Sequence, residues 1–190
     1  MRLVLATANP DKVAEISALL TGVELAPRPP GLPEVEESGQ TLEENARLKA
    51  RAVGEATGEP AVADDTGLEV SALSGAPGVR SSRYAGEDAS YGDNVAKLLG
   101  ALEGVSERRA RFRTVALVSF PDGREVLAEG TVEGAITDEP RGEQGFGYDP
   151  VFAPDGGGGH TFGEMTLEQK GTLSHRARAF RKMAALLTSP

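Results

Sequence analysis

LVLATANPDK, residues 3–12, is a short apolar run that ends in a polar turn. The run from Leu3 to Ala6 predicts a buried strand. Asn9 suits the N-cap of a helix, and Pro10 suits the first helical position. The chain therefore opens with a strand–turn–helix unit, which favours an α/β fold.

The sequence after this first unit predicts further helices and strands. Thr41 and Glu44 have the spacing of a capping box, which predicts the start of a second helix. The other predicted elements are a short strand over 61–63, a helix over 91–102, hairpin strands over 112–120 and 125–136, a short strand over 150–153, and a last helix from near Ser174. Early strand–helix units with a later antiparallel hairpin predict an α/β fold with a mixed sheet.

Length, composition and charge narrow the class of protein. A chain of 190 residues fits one domain over residues 1–190. The absence of Cys excludes disulfides and thiolate chemistry. A net charge of −9 argues against binding to a nucleic acid backbone. No apolar run is long enough to cross a membrane and none resembles a secretory signal, so we expect a cytoplasmic protein.

The turn from Thr7 to Lys12 is a candidate phosphate site. A helix N-terminus carries unpaired backbone N–H groups and a partial positive charge, and both attract phosphate. Lys12 lies in the first helical turn, where a cation opposes the helix dipole. Such a local conflict often has a functional reason, although an exposed lysine explains the residue equally well.

Asp64 and Asp65 follow the predicted strand over 61–63 and precede Thr66. Adjacent carboxylates repel each other, and Mg²⁺ prefers oxygen ligands of this kind. Because consecutive strand residues point to opposite faces, at most one of the two is expected to reach a cleft. The alternative is a pair of turn aspartates.

Two segments near the end of the chain are further candidates. Glycines flank Phe146, so the backbone there can close over a flat ligand on which an aromatic ring stacks, or it can form a bulge with core aromatics. Lys170, His175 and Arg176 cluster at the start of the last predicted helix. That arrangement suits an anion held between them, or an ordinary basic helix face.

These motifs together resemble the inosine/xanthosine triphosphate pyrophosphatase family, also called Ham1-like. The resemblance covers nearly the whole chain, in the family's order and near its spacing. It is carried by residues 7–12, residues 36–39 with 44–50, residues 63–68, residues 75–78 with 82–84, residues 146–150, and Lys170 with residues 174–176.

The resemblance implies an elongated mixed sheet flanked by helices, with two lobes around a deep cleft, and a homodimer. It implies Mg²⁺-dependent hydrolysis of ITP, dITP and XTP to the monophosphate and pyrophosphate. Asp65 would accept the proton of the attacking water and meet the metal with Glu36, or with Glu37 as the alternative. The substrate would be bound by Thr7, Ala8, Asn9, Pro10, Asp11, Lys12, Thr66, Phe146, Gly147, Tyr148, Asp149, Lys170, His175 and Arg176.

Two departures and three alternatives accompany this interpretation. Thr66 stands where Ser is frequent, and it keeps the hydroxyl. Ala8 stands where many relatives have Gly, and it would be strained if the site required a positive φ. The alternatives are a non-catalytic nucleotide sensor, a hydrolase that releases orthophosphate, and a nucleic-acid binder. The last would use an arginine-rich stretch over residues 108–113, which the pattern also explains as a solvated strand face.

Overall fold

The structure, a computed structural model, describes residues 1–188. Its strands form a mixed sheet in the order β2-β1-β3-β5-β6-β7, and β4 pairs with β3. The strands are β1 (Arg2–Leu5), β2 (Glu24–Ala26), β3 (Ala61–Val70), β4 (Pro77–Gly78), β5 (Arg109–Ser119), β6 (Glu125–Ile136) and β7 (Phe152–Pro154). β1 runs parallel to β2 and β3, whereas β4 on β3 and β7 on β6 are antiparallel. The predicted α/β class with a mixed sheet is confirmed.

The helices are α1 (Pro10–Leu19), α2 (Leu42–Thr57), α3 (Tyr91–Ala101), α4 (Leu167–Leu173) and α5 (His175–Thr188). The first two begin where their capping residues predict. Asn9 caps α1, and Thr41 caps α2 by accepting from the backbone N–H of Glu44. The carboxylate of Glu44 accepts from the backbone N–H of Gln40, one residue before the position that a capping box would use.

The chain divides into two compact units. The first unit contains residues 1–65, residues 114–130 and the described residues from 176 onward; the second contains residues 66–113 and 131–175. The expected single domain over residues 1–190 includes two final residues outside the described range, and it stays a prediction.

Each unit has its own apolar core. In the first unit, α1 and α5 pack on β1, β3 and β5 through a cluster that includes Leu3, Leu5, Ile16, Val62, Ala116, Val118, Phe180 and Met183. In the second unit, α3 and the strand ends enclose a cluster that includes Leu68, Val95, Leu98, Phe112, Val132, Phe152 and Phe162. The helical faces of period 3.6 and the strand faces of period 2 thus pack as their sequences predict.

Three sequence predictions were wrong or incomplete. The strand expected over 61–63 continues to Val70, so Asp64, Asp65 and Thr66 lie within β3 and not in a turn after it. Residues 166–174, expected to precede the last helix, contain α4, with Thr166 as its N-cap and Ser174 as its C-cap. The short strand expected over 150–153 lies at Phe152–Pro154. Antiparallel pairing with β4 accounts for the extension of β3, because it supplies hydrogen-bond partners near Leu68.

Candidate active site

Asp64 lies at the centre of a buried ion network in the first unit. Its Oδ1 lies 3.3 Å from Lys12 Nζ, and its Oδ2 accepts from Arg176 Nη2 at 3.0 Å and Nε at 3.2 Å. Arg176 Nη1 also donates to Glu15 of α1. The side chain of Asp64 is 0% exposed and that of Arg176 is 2% exposed. The first turns of α1, the middle of β3 and the start of α5 therefore meet around one carboxylate.

Burial and charge act in opposite directions on these groups. Burial raises the pKa of Asp64, but Lys12 and Arg176 outweigh it and leave the pKa well below its ordinary value. Burial lowers the pKa of Lys12 more than Asp64 raises it. Burial also lowers the pKa of Arg176, but Asp64 and Glu15 raise it above the ordinary value. Asp64 is therefore ionised throughout the physiological pH range.

Asp65, the next residue of β3, has a separate set of partners. Its Oδ1 accepts from Lys49 Nζ at 2.7 Å, and its Oδ2 accepts from Asn45 Nδ2 at 3.3 Å. Lys49 Nζ also donates to Glu37 Oε1 at 3.0 Å. Asn45 and Lys49 are four residues apart on α2 and therefore lie on one face of that helix. The alternation along β3 separates the two aspartates as the sequence predicts.

Glu37 and Asp65 are held close together by the loop before α2. The backbone N–H of Gly39 donates to Asn45 Oδ1 at 2.9 Å. A Cβ at Gly39 would lie 2.6 Å from that oxygen, so the close approach requires glycine.

Burial, together with the charge of Glu37, raises the pKa of Asp65 above its ordinary value although Lys49 lowers it. A carboxylate with a raised pKa is suited to accept a proton.

The segment from Thr7 to Lys12 uses several of its own N–H groups internally. Asn9 Oδ1 accepts from the backbone N–H groups of Asp11 at 2.9 Å and Lys12 at 3.3 Å, and Thr7 Oγ1 accepts from that of Asn9. Ala8 and Pro10 are exposed. Among residues 1–188, Ser74 is the one non-glycine residue with a positive φ. Ala8 therefore has a negative φ, and the strain considered for this position is absent. The Lys12 side chain therefore supplies the positive charge of this segment.

The carboxylates near Asp65 fit a divalent cation. The carboxylates of Asp65 and Glu37 already share one cation, the Lys49 ammonium, and oxygen donors of this type suit Mg²⁺. Of the two candidate glutamates, Glu37 lies beside Lys49, whereas the side chain of Glu36 is exposed. Within residues 1–188 no cluster of three or more His, Cys, Asp or Glu side chains could hold a metal. Mg²⁺ often takes only one or two protein carboxylates and fills its shell with water and substrate phosphate.

In the second unit, a buried ion pair organises the loop that carries Phe146. Asp149 Oδ2 accepts from Lys170 Nζ at 2.6 Å and from the backbone N–H of Phe146 at 2.8 Å. Lys170 Nζ lies 4.9 Å from the centre of the Phe146 ring. Gly145 has φ +73°, and a Cβ there would lie 2.1 Å from Asp149 Oδ2. Asp149 thus shapes the loop in this structure, whereas the sequence suggested contact with a base edge.

The other candidates of the second unit are mostly buried. Tyr148 donates its hydroxyl to the carbonyl of Ser81 at 2.9 Å, and His175 stacks on Phe112 with ring centres 4.5 Å apart. Gly147 has a positive φ of 63° next to Phe146. Thr66 is half-buried within β3. These residues belong to the same unit as Asp149 and Lys170.

Sequence reasoning assigned no role to three side chains of these networks: Asn45 and Lys49, which donate to Asp65, and Glu15, which accepts from Arg176. Glu37, the alternative to Glu36, is the glutamate that pairs with Lys49. The available signal was polar residues at buried helix positions. Asn45 is 0% exposed within a helix whose other buried residues are apolar. A polar side chain in such a position needs a specific partner.

Arg109 and Arg111 of the arginine-rich stretch pair with Asp155 at 2.8 Å and Glu69 at 2.6 Å, as expected for a solvated strand face. None of the helices in residues 1–188 combines the length and the apolar character that crossing a bilayer requires.

Comparisons with known proteins agree on one family. Residues 3–186 match the model of a family described as the Ham1 family. A dITP/XTP pyrophosphatase of Desulforamulus reducens is 50% identical over 194 residues, which cover 98% of this chain and 96% of that protein. A HAM1 protein from Coxiella burnetii superposes with a TM-score of 0.90 at 39% identity over 99% of this chain and 98% of that one. A structure described as nucleoside-triphosphatase / dITP/XTP pyrophosphatase from Mycobacterium abscessus gives a TM-score of 0.77 at 42% identity over the full length of both chains.

Proposed function

Because the chain belongs to the Ham1 family, we propose that it hydrolyses deaminated purine nucleoside triphosphates to the monophosphate and pyrophosphate. The substrates are ITP, dITP and XTP. The names of the similar proteins, dITP/XTP pyrophosphatase, support this activity. Its biological effect would be to cleanse the nucleotide pool.

The observation that carries the proposal is the meeting of Lys12, Asp64 and Arg176 beside Asp65 and Lys49. Cations that neutralise phosphate and a carboxylate that can take a proton are both needed for phosphoryl transfer. They lie within one unit and are mostly shielded from water. Charges in such surroundings act more strongly than they do in bulk solvent.

In the proposed reaction, Asp65 orients a water molecule and accepts its proton. The water oxygen attacks the α phosphorus, the bond from that phosphorus to the bridging oxygen breaks, and pyrophosphate leaves with the bonding electrons. Lys12, with the rest of residues 7–12, holds phosphate oxygens and stabilises the charge that develops on the leaving group. The raised pKa of Asp65 supports its role as proton acceptor.

We propose that the enzyme depends on Mg²⁺. Asp65 would hold the metal with a glutamate from the loop before α2, and the placement of Glu37 beside Lys49 favours it over Glu36. When bound, the metal would supply charge neutralisation and orientation of the triphosphate.

For the base, we propose that Phe146 stacks on the purine and that Gly147 to Asp149 and Lys170 shape its surroundings. Thr66, His175 and Arg176 would contact the substrate, with donors for the 6-keto oxygen of hypoxanthine or xanthine. Adenine has an amino group there and would leave such donors unpaired, which costs about 1–3 kcal/mol for each buried group. Several such contacts are needed for strong selectivity.

The test is product identification with purified protein, Mg²⁺ and a panel of ITP, dITP, XTP, GTP and ATP. We expect ITP to give IMP and pyrophosphate, separated by anion exchange and identified by ³¹P NMR. IDP with orthophosphate would indicate a different bond cut. Binding without product would indicate a sensor, and equal rates with ITP and ATP would contradict the proposed base recognition.

We also propose a homodimer, which the resemblance implies, and a location in the cytoplasm, which the sequence led us to expect. Sedimentation equilibrium of the full chain tests the first point. A single species at the mass of one 19.8 kDa chain would contradict it. Fractionation of the source cells tests the second.

A further inference from the structure

Lys49 occupies the position between two carboxylates where a divalent cation would be expected. Its Nζ lies 2.7 Å from Asp65 Oδ1 and 3.0 Å from Glu37 Oε1. The side chains of Lys49 and Asp65 are 13% and 8% exposed. One positive charge thus balances two negative charges in a place with limited access to water.

Asn45 connects Asp65 to the loop that carries Glu37. Asn45 donates to Asp65 from the same face of α2, and it also accepts from Gly39, which fixes the loop that carries Glu37. Gly39 packs so closely on Asn45 that a Cβ would overlap it. Two like charges held at a fixed short separation are unfavourable, and a cation between them relieves the repulsion.

We propose that Lys49 is the built-in counter-cation of this site and that it competes with a divalent metal for Asp65 and Glu37. In the nucleotide-free protein the ammonium holds the site and keeps metal affinity low. When metal and triphosphate arrive together, the anionic phosphates offer the displaced ammonium a new partner. Metal and nucleotide therefore reinforce each other's binding. This inference rests on the metal site of the proposed function.

The main experiment measures Mn²⁺ binding without nucleotide, by EPR of the free ion. K49M should bind Mn²⁺ about tenfold or more tightly than the wild type, because a competing cation has been removed. K182M is the matched control: Lys182 is an exposed lysine of α5 that donates to the Glu129 carbonyl, and its removal should leave the affinity unchanged. The double variant K49M/D65N should lose the gain.

A second measurement uses the wild-type protein and does not depend on how K49M folds. With ¹⁵N-labelled lysine, the hydrogen-bonded Lys49 ammonium gives a signal that saturating Mg²⁺ should shift or remove. An unchanged signal, or a K49M protein that folds and binds Mn²⁺ no more tightly than the wild type, would overturn the inference. Neither readout uses hydrolysis. A wild-type protein without pyrophosphatase activity would therefore refute the proposed function separately.

Discussion

Asp64 and Asp65 are adjacent aspartates, and the structure predicts that the same substitution has a different main effect at each of them. We consider D64N and D65N as a matched pair. Each replaces one carboxylate with an amide of nearly the same shape. Asp64 belongs to the network of Lys12 and Arg176, whereas Asp65 belongs to that of Lys49 and Asn45.

D64N should mainly destabilise the fold. The Asp64 side chain is 0% exposed, and it balances Lys12 together with Arg176, whose side chain is 2% exposed. Removing one partner of a buried pair leaves the other charge uncompensated, which costs about 3–5 kcal/mol. Glu15 still pairs with Arg176, so we expect the lower end, about 3 kcal/mol.

D65N should mainly abolish turnover. Lys49 keeps Glu37 as a partner, and the amide relieves the cost of burying a charge next to that glutamate. We expect a loss of at most about 1.5 kcal/mol in stability. Removing a general base lowers kcat by about 10²- to 10⁴-fold.

Urea unfolding followed by circular dichroism, together with ITP turnover, measures both effects. The midpoint should fall for D64N at an unchanged slope and stay near the wild type for D65N. A D64N protein that loses less than about 1 kcal/mol would show that the ion network does not support the fold. Undiminished kcat in D65N would refute the role of Asp65.

Three other changes test separate parts of the molecule. Burial raises the pKa of Glu125, but its arginine partners on α2 outweigh burial and lower it. E125Q should therefore cost about 0.5–1 kcal/mol at neutral pH. In an acid titration of stability, the difference should begin to fall near the ordinary pKa of about 4.3 and vanish only below the lowered pKa of the folded protein; a constant difference would contradict this. G145A should raise KM for ITP and lower the melting temperature because its Cβ meets Asp149, and a wild-type melting curve would refute the contact. F146A should raise KM about 5- to 150-fold through lost stacking of about 1–3 kcal/mol, whereas F146Y, the conservative control, should stay near the wild type.

Local sequence determined the elements whose signals are short in range. Asn9 and Thr41 placed the starts of α1 and α2, because a capping side chain bonds to N–H groups only two or three residues away. The strand predicted over 125–136 matches β6 residue for residue, since Pro121 to Gly123 mark the turn before it. The family could also be inferred, because ordered motifs along the chain are a property of sequence.

Only the tertiary structure decided which charges meet. The strand over 61–63 was predicted too short because the partner that extends β3 lies in β4, beyond a turn. The choice of Glu37 over Glu36 beside Lys49 depends on a loop fixed by Asn45 and Gly39. Arg176 reaches Asp64 across 112 positions of the chain. Contacts over such separations depend on how whole elements pack, and no local propensity encodes them.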